Sequence, residues 1–253
     1  MRVIKIKRIL SLFVSAVISV AAAPTPMSIA HRGAPTLAPE NTEAAFAAAV
    51  SAGADAVECD LRLSADGALV CHHDDTTGRV WDADLTVSET PLDRLQSLGL
   101  SAGFRLAFPG HRGVRIPTFE QAVEAMGEAR IFAEIKGDGI PVARALDAEC
   151  KRLGITDRVT VISYDPAAVT HMAGLGYDCA LLLSCASPTE LLSADIPAGV
   201  AVDVNYGALT EAAVNELHSR GITVYCYTSE DARTYARLRR MGVDGVTYEG
   251  ERA

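Results

Sequence analysis

The chain has 253 residues, enough for one large domain, with 49% hydrophobic, 22% charged and only 6% aromatic residues. That balance excludes a disordered, collagenous or repeat-built protein. The formal net charge of -9 argues against nucleic acid as a partner, because phosphate backbones reward clustered Lys and Arg; it leaves open a small phosphate ester held through a metal ion.

At the N-terminus, Arg2, Lys5, Lys7 and Arg8 precede an apolar run from Ile9 to Ala23 that ends in three alanines. A basic head, an apolar middle and a small-residue end describe a signal peptide or an uncleaved anchor over residues 1–23. The run is short for a stable membrane span. Its removal deletes four positive charges and no acid, taking the net charge from -9 to -13. The expectation is a secreted or cell-envelope protein, with membrane proximity through this segment. Met27 offers an alternative start directly before the first strand, which would make the protein cytoplasmic. The six cysteines form no CxxC pair, so they read as small buried apolar residues rather than zinc ligands or a disulfide framework.

Further along, apolar segments suited to strands recur at Met27–His31, Ala54–Leu61, Ile131–Lys136, Val159–Ser163, Ala180–Leu183, Val200–Val204, Thr223–Tyr227 and Val243–Thr247. Most gaps between them carry apolar residues three and four apart, the helical period. Asn41-Thr42 can cap the first helix, Thr118-Phe119-Glu120-Gln121 opens the second, and Thr210 precedes a helix over Glu211–Arg220. Eight alternating β and α units predict an α/β fold, a closed (β/α)8 TIM barrel. No Gly-rich phosphate loop supports a doubly wound open sheet.

Between Asp60 and His73 the alternation breaks. Asp66-Gly67 within alternating residues predicts a two-residue hairpin turn. In that register Leu63 faces Val70 and Asp60 faces His73, so His73 shares a face with Asp60 and Glu58, while His72 opposes Leu61 on the other face. The stretch from Asp74 to Ile116 has no long period and reads as an insertion forming a wall or lid; Trp81 lies in it, either lining its pocket or packing it. His111, His171 and His218 read as solvent-facing.

Chemistry-bearing residues gather at the C-terminal ends of the strands, where barrels of this kind place their sites. His31-Arg32-Gly33 ends the first, Glu58 and Asp60 lie on the second, and Glu134 and Lys136 on the third. Period-2 alternation puts Glu58 with Asp60, and Glu134 with Lys136, on inward faces, while Val57, Cys59, Leu61, Ile131, Ala133 and Ile135 face the helices. Three carboxylates pointing into one barrel mouth repel one another. A hard divalent cation resolves that conflict, and all-oxygen ligands suit Mg²⁺, Ca²⁺ or Mn²⁺.

The ordered set His31-Arg32-Gly33, Glu40-Asn41-Thr42, Phe46, Gly53-Ala54-Asp55, Glu58-x-Asp60, Asp66-Gly67 and His73-Asp74 resembles the opening motif of the glycerophosphodiester phosphodiesterases. Pro117-Thr118-Phe119-Glu120, Glu134-x-Lys136 and Gly242-Val243-Asp244-Gly245 resemble its later landmarks, so the likeness runs from Ile29 to about Glu249 within a catalytic domain over residues 27–253. The resemblance implies metal-dependent hydrolysis of a small-molecule glycerophosphodiester to an alcohol and sn-glycerol 3-phosphate. It implies His31 and His73 as acid and base, Glu58, Asp60 and Glu134 as ligands of one divalent cation, and Arg32 and Lys136 as phosphate-holding groups. Attack by a neighbouring glycerol hydroxyl through a cyclic phosphate, or directly by water, both fit. A phospholipase D-like or lysophospholipid phosphodiesterase on the same site is a second reading, and a non-catalytic phosphate-binding barrel a third. Four positions, which help shape the pocket, depart from the family pattern: Tyr227 stands where it often has Trp, Glu230 where it has Asn, and Tyr248-Glu249 where it has Thr-Asp.

Overall fold

The computed structural model describes residues Thr25–Glu249. The signal or anchor expected over residues 1–23 lies outside them. Nine strands form: β1 (Met27–Ala30), β2 (Ala56–Leu63), β3 (Leu69–Cys71), β4 (Arg130–Ile135), β5 (Val159–Ser163), β6 (Asp178–Leu183), β7 (Ala201–Asn205), β8 (Val224–Ser229) and β9 (Gly245–Tyr248). All but β3 pair in parallel, and β1 pairs with both β9 and β2, so eight strands close into a barrel. Each of the eight expected strands is present within a few residues of its expected bounds. The helices are α1 (Glu43–Ser51), α2 (Leu92–Gln96), α3 (Ala102–Ala107), α4 (Phe119–Met126), α5 (Gly139–Leu153), α6 (Pro166–Gly174), α7 (Pro188–Leu192), α8 (Glu211–Ser219) and α9 (Ala232–Met241).

The helix starts follow their caps. Thr42 caps α1, Thr118 and Gln121 form a reciprocal capping box on α4, and Thr210 caps α8. Asn41 is not part of the α1 cap; its side chain serves the site described below. Two layers of apolar packing hold the barrel. Outward residues such as Val57, Cys59, Ile131 and Ala133 pack against helix residues including Phe46, Met126 and Leu146. Inside, Ile29, Ala56, Phe132, Ile162, Ala180 and Leu182 form a plug beneath the mouth. All six cysteines are buried and free.

The hairpin differs from its expected register. Leu61 pairs with Cys71, Arg62 with Val70 and Leu63 with Leu69, one residue displaced from a two-residue turn. The Ser64 N–H donates to the Ala68 carbonyl (2.9 Å) and the Gly67 N–H to the Ser64 carbonyl (3.0 Å), enclosing a three-residue loop. Gly67 sits at φ +81°, the left-handed conformation that such loops place at their last residue. The Asp66 carboxylate accepts from the Ser64 hydroxyl (2.6 Å) and the Leu92 N–H (3.1 Å), which ties the loop to the insertion. In this register Asp60, not Leu61, stands opposite His72.

The insertion builds a small core of its own from Val80, Trp81, Val87, Leu95, Leu98 and Ile116 against Val70. Trp81 is 2% exposed and packs this core rather than lining the cavity. His218 is not free in solvent: its Nε2 meets Asp244 Oδ2 at 2.8 Å, joining the end of α8 to the approach of β9.

Candidate active site at the barrel mouth

Parallel register sets the acids side by side. Asp60 on β2 is level with Glu134 on β4, and Glu58 lies one inward step below, level with Phe132. Oxygen atoms of Glu58, Asp60 and Glu134 lie within 4.8 Å of one another, and all three side chains are buried.

The turn after β1 is shaped around them. Arg32 and Asn41 both adopt positive φ, at 52° and 54°, a conformation that costs non-glycine residues about 1 kcal/mol or more and concentrates at functional sites. The Arg32 N–H donates to Glu58 Oε2 (2.7 Å), and its guanidinium reaches Glu40 (2.8 Å) and Asp60 Oδ2 (3.3 Å). Gly33 is required at φ +87°, because a Cβ there would fall 2.6 Å from the Ala45 backbone of α1. Asn41 Nδ2 donates to Asp60 Oδ2 (2.7 Å), while the Asp60 N–H donates to Asn41 Oδ1 (3.1 Å).

Charge is unevenly shared within the cluster. Burial opposes ionisation of Asp60, but Lys136 (Nζ 3.3 Å from Oδ1) and Arg32 outweigh it and hold its carboxyl well below the usual range. Burial and then Asp60 push Glu134 up to about 7, even with Lys136 Nζ 2.6 Å away. Burial, followed by the charges of Asp60 and Glu134, drives Glu58 well upward as well. Glu58 Oε1 is buried with no hydrogen-bond partner among the described residues. Surplus negative charge, an open oxygen and an all-carboxylate donor set fit a hard divalent cation.

Both histidines reach the same cavity. His31 follows β1, and its Nδ1 contacts the Glu249 carboxylate beyond β9. His73 follows β3, and its Nδ1 meets Asp74 Oδ1 at 2.6 Å. A carboxylate on Nδ1 fixes each ring and leaves Nε2 for chemistry, and neither Nε2 has a hydrogen-bond partner among the described residues. Burial lowers the His73 pKa, partly offset by Asp60, so this ring is neutral near pH 7. Although the hairpin is displaced by one residue, His73 still lines the cavity: the β2–β3 pairing ends at Cys71, and His72 turns away to place Nε2 3.1 Å from the Thr76 carbonyl.

An ion-pair bridge ties the insertion to this arrangement. Arg79 donates to Asp74 (2.6 Å) and with two nitrogens to Glu40 (2.7 Å each), while Glu40 also accepts from Arg32. Partial burial would raise Asp74, but hydrogen bonds from Arg79 and His73 bring it down to about 2. One arginine of the insertion therefore touches the partners of both His73 and Arg32.

The cavity has a volume of about 280 Å³. His31, Arg32, Glu58, His73, Glu134 and Lys136 line one side, so the structure brings together all the residues that the sequence singled out, with Asp60 directly behind. On the opposite wall, Tyr227 is one of the departures from the family pattern seen in the sequence, whereas Tyr164 and Asp203 were not anticipated. Tyr164 and Tyr227 meet hydroxyl to hydroxyl at 2.6 Å, and Tyr227 also donates to the Leu183 carbonyl (2.9 Å). Asp203 on β7 is fully buried, its Oδ1 has no partner among the described residues, and burial followed by Glu134 raises its pKa to about 8. An acid between Val202 and Val204 in an apolar strand was a legible signal for this inward carboxyl; Arg79, in an aperiodic loop, offered none.

Comparison with known proteins agrees with this geometry. The model of the "Glycerophosphoryl diester phosphodiesterase family" matches residues 31–250. The glycerophosphodiester phosphodiesterase of Caldanaerobacter subterraneus subsp. tengcongensis is 27% identical over 231 residues, covering 86% of this chain and 91% of its own. The "Putative glycerophosphodiester phosphodiesterase YhdW" of Bacillus subtilis is 30% identical over 227 residues, covering 86% and 92%. A phosphodiesterase of Oleispira antarctica, solved with the product sn-glycerol-3-phosphate, superposes with a TM-score of 0.78 at 25% identity over 89% of this chain and 93% of its own.

Proposed function

The chain belongs to the glycerophosphoryl diester phosphodiesterase family, and from that premise we propose that it hydrolyses glycerophosphodiesters to an alcohol and sn-glycerol 3-phosphate, using one divalent cation at Glu58, Asp60 and Glu134. The observation that carries this reading is the convergence of three buried carboxylates, two carboxylate-held histidines and two cations on one small cavity. At about 280 Å³ the cavity is at the lower end of the range for ligand pockets, which favours a glycerol phosphate group over a lipid chain.

Arg32 and Lys136 hold the phosphodiester and neutralise charge growing on its free oxygens. A bound cation supplies Lewis-acid stabilisation of those oxygens, and Mg²⁺, Ca²⁺ and Mn²⁺ all suit the donor set. His73, kept neutral by burial, takes the proton from the attacking water or glycerol hydroxyl, and His31 protonates the departing alkoxide; where the glycerol hydroxyl attacks, water then opens the cyclic phosphate with the two roles reversed. Asp74 and Glu249 fix the two rings and stabilise the imidazolium that each passes through. The tyrosine wall faces this machinery across the cavity and bounds the space for the rest of the substrate. Residues 1–23 direct the protein to the cell envelope or outside the cell in this reading; mass spectrometry of the N-terminus from the native host tests that part, and a cytosolic chain beginning at Met27 contradicts it.

The decisive assay is release of sn-glycerol 3-phosphate from glycerophosphocholine with and without EDTA. Product formation that chelator abolishes and added Mg²⁺, Ca²⁺ or Mn²⁺ restores is expected. Full activity after exhaustive chelation sinks the cation assignment, and no product under any metal sinks the substrate assignment.

A further inference from the structure

Helix α3 is anomalous among the described helices: none of its side chains is buried. Six residues are too few for a helix to persist on its own in water; α3 rests on the insertion's core through the partly buried Phe104 and turns the rest of its length outward. That surface is apolar at its centre. Leu106 is 84% exposed, and Phe104, Phe108 and His111 form a chain of ring contacts beside it, with centroids 6.0 and 6.1 Å apart. It is cationic around that centre. Residues 101–115 include Arg105, Arg112 and Arg115 and no acid, within a chain whose net charge is -9. A concavity of about 540 Å³ lies here, and its lining includes Arg105, Leu106, Phe108, His111 and Arg112 with no carboxylate.

We propose that this face of the insertion docks on an anionic lipid surface, with Leu106 and the neighbouring Phe108 meeting the interface and Arg105 and Arg112 meeting lipid phosphates. Charge complementarity selects the occupant: a cluster of arginines on an otherwise acidic protein is drawn to an anionic bilayer, and Leu106 among them has no covering inside the fold. The arrangement of guanidinium groups around an exposed apolar tip is the pattern of interfacial helices. Docking would also be felt at the catalytic rim. Ser101, at the start of α3, donates its N–H to the Val80 carbonyl (2.9 Å) and its hydroxyl to the Arg79 carbonyl (3.3 Å), and the Arg79 side chain holds Asp74 and Glu40.

The test uses the full chain carrying Leu106→Trp, whose exposed indole reports on this surface alone, since Trp81, the chain's own tryptophan, is buried. Mixing with vesicles of phosphatidylcholine and phosphatidylglycerol should shift the added emission to the blue, and brominated lipid should quench it. Adding Arg105→Gln and Arg112→Gln should weaken that partitioning by about 25-fold, at roughly fivefold per arginine. None of these residues touches the barrel-mouth cavity, so turnover of a water-soluble substrate should be unchanged in each variant and serves as the check on folding. No shift with anionic vesicles overturns the proposal. So does an equal shift with pure phosphatidylcholine, indifference to loss of the two arginines, or a shift that follows protein concentration without lipid, which would mark self-association instead.

Discussion

Asn41 and Asp60 exchange two hydrogen bonds, side-chain amide to carboxylate and main-chain N–H to side-chain oxygen. Both residues are buried, with exposures of 2% and 0%, so neither can recover a lost partner from water. Asn41→Ala should cost about 1–3 kcal/mol in urea denaturation, the usual penalty for stranding a buried polar group. It should also weaken cation affinity about 10–100-fold, as loss of an outer hydrogen bond to a ligand does. Asn41→Gly, which accepts the positive φ without strain, should recover part of the stability and none of the affinity. Full recovery of both would show that only the backbone matters here.

Cation binding should release protons. In the metal-free protein Glu134 titrates near 7 and Glu58 is also raised, so near pH 6 the cluster retains protons that a cation displaces. Calorimetry in buffers of different ionisation enthalpy measures this directly, and an identical heat in all buffers would contradict it. Folding is linked to the same groups. Their raised pKa values mean that the folded, metal-free state binds protons more tightly than the unfolded chain. The stability that these two groups contribute is therefore full below pH 4.5 and is lost as pH rises through about 7. Glu58→Gln should flatten that fall while abolishing turnover.

The adjacent histidines should separate cleanly. His73→Ala should lose about 10²–10⁴-fold in kcat with little change in stability, as expected of a proton-transfer group. His72 is 3% exposed and bonded to the Thr76 carbonyl. His72→Ala should keep most activity yet lose about 1–3 kcal/mol in urea denaturation, since it strands that carbonyl. The reverse pattern would reassign the pair.

Asp203→Asn should stabilise the protein in a pH-dependent way. The Asp203 pKa, raised from 3.8 to about 8, means that the contribution of this group to wild-type stability is full below 3.8 and declines up to about 8, by as much as about 1.4 kcal/mol per pH unit. Asparagine has the same shape and no proton to lose. The melting-temperature difference between variant and wild type should be near zero at the acidic end and positive at the alkaline end. A constant difference across the range would place the Asp203 carboxyl in water instead.

How far the fold and site could be read in advance follows from the range of the forces involved. Barrel strands such as Val159–Ser163 announce themselves because both faces are buried, one by the plug and one by helices, so the apolar run is continuous. Glu58, Asp60 and Glu134 stand out because acids in such strands, at inward parity, cannot be accidental surface charges. The hairpin register misled because Asp-Gly suits both a two-residue loop and the last two places of a three-residue one; the choice rests on Ser64, whose hydroxyl bonds Asp66 and accepts from the Ala68 N–H. Glu40 and Arg79 are 39 positions apart, and no local pattern could have paired them.

The two ends of the insertion meet. The Cys71 N–H donates to the Pro117 carbonyl at 2.9 Å, and Val70 forms a bridge with Thr118, so the chain leaves and re-enters the barrel wall at nearly one point. Seen from the scaffold, the intervening segment is a replaceable cartridge: its length can grow or shrink with little added closure entropy and without parting any strand of the barrel. Selection could therefore recast what the mouth admits by exchanging this one segment. The reacting groups contributed by β1, β2 and β4 would stay where they are, and His73 and its Asp74 partner, at the cartridge's leading edge, mark the limit beyond which such exchange would reach the chemistry.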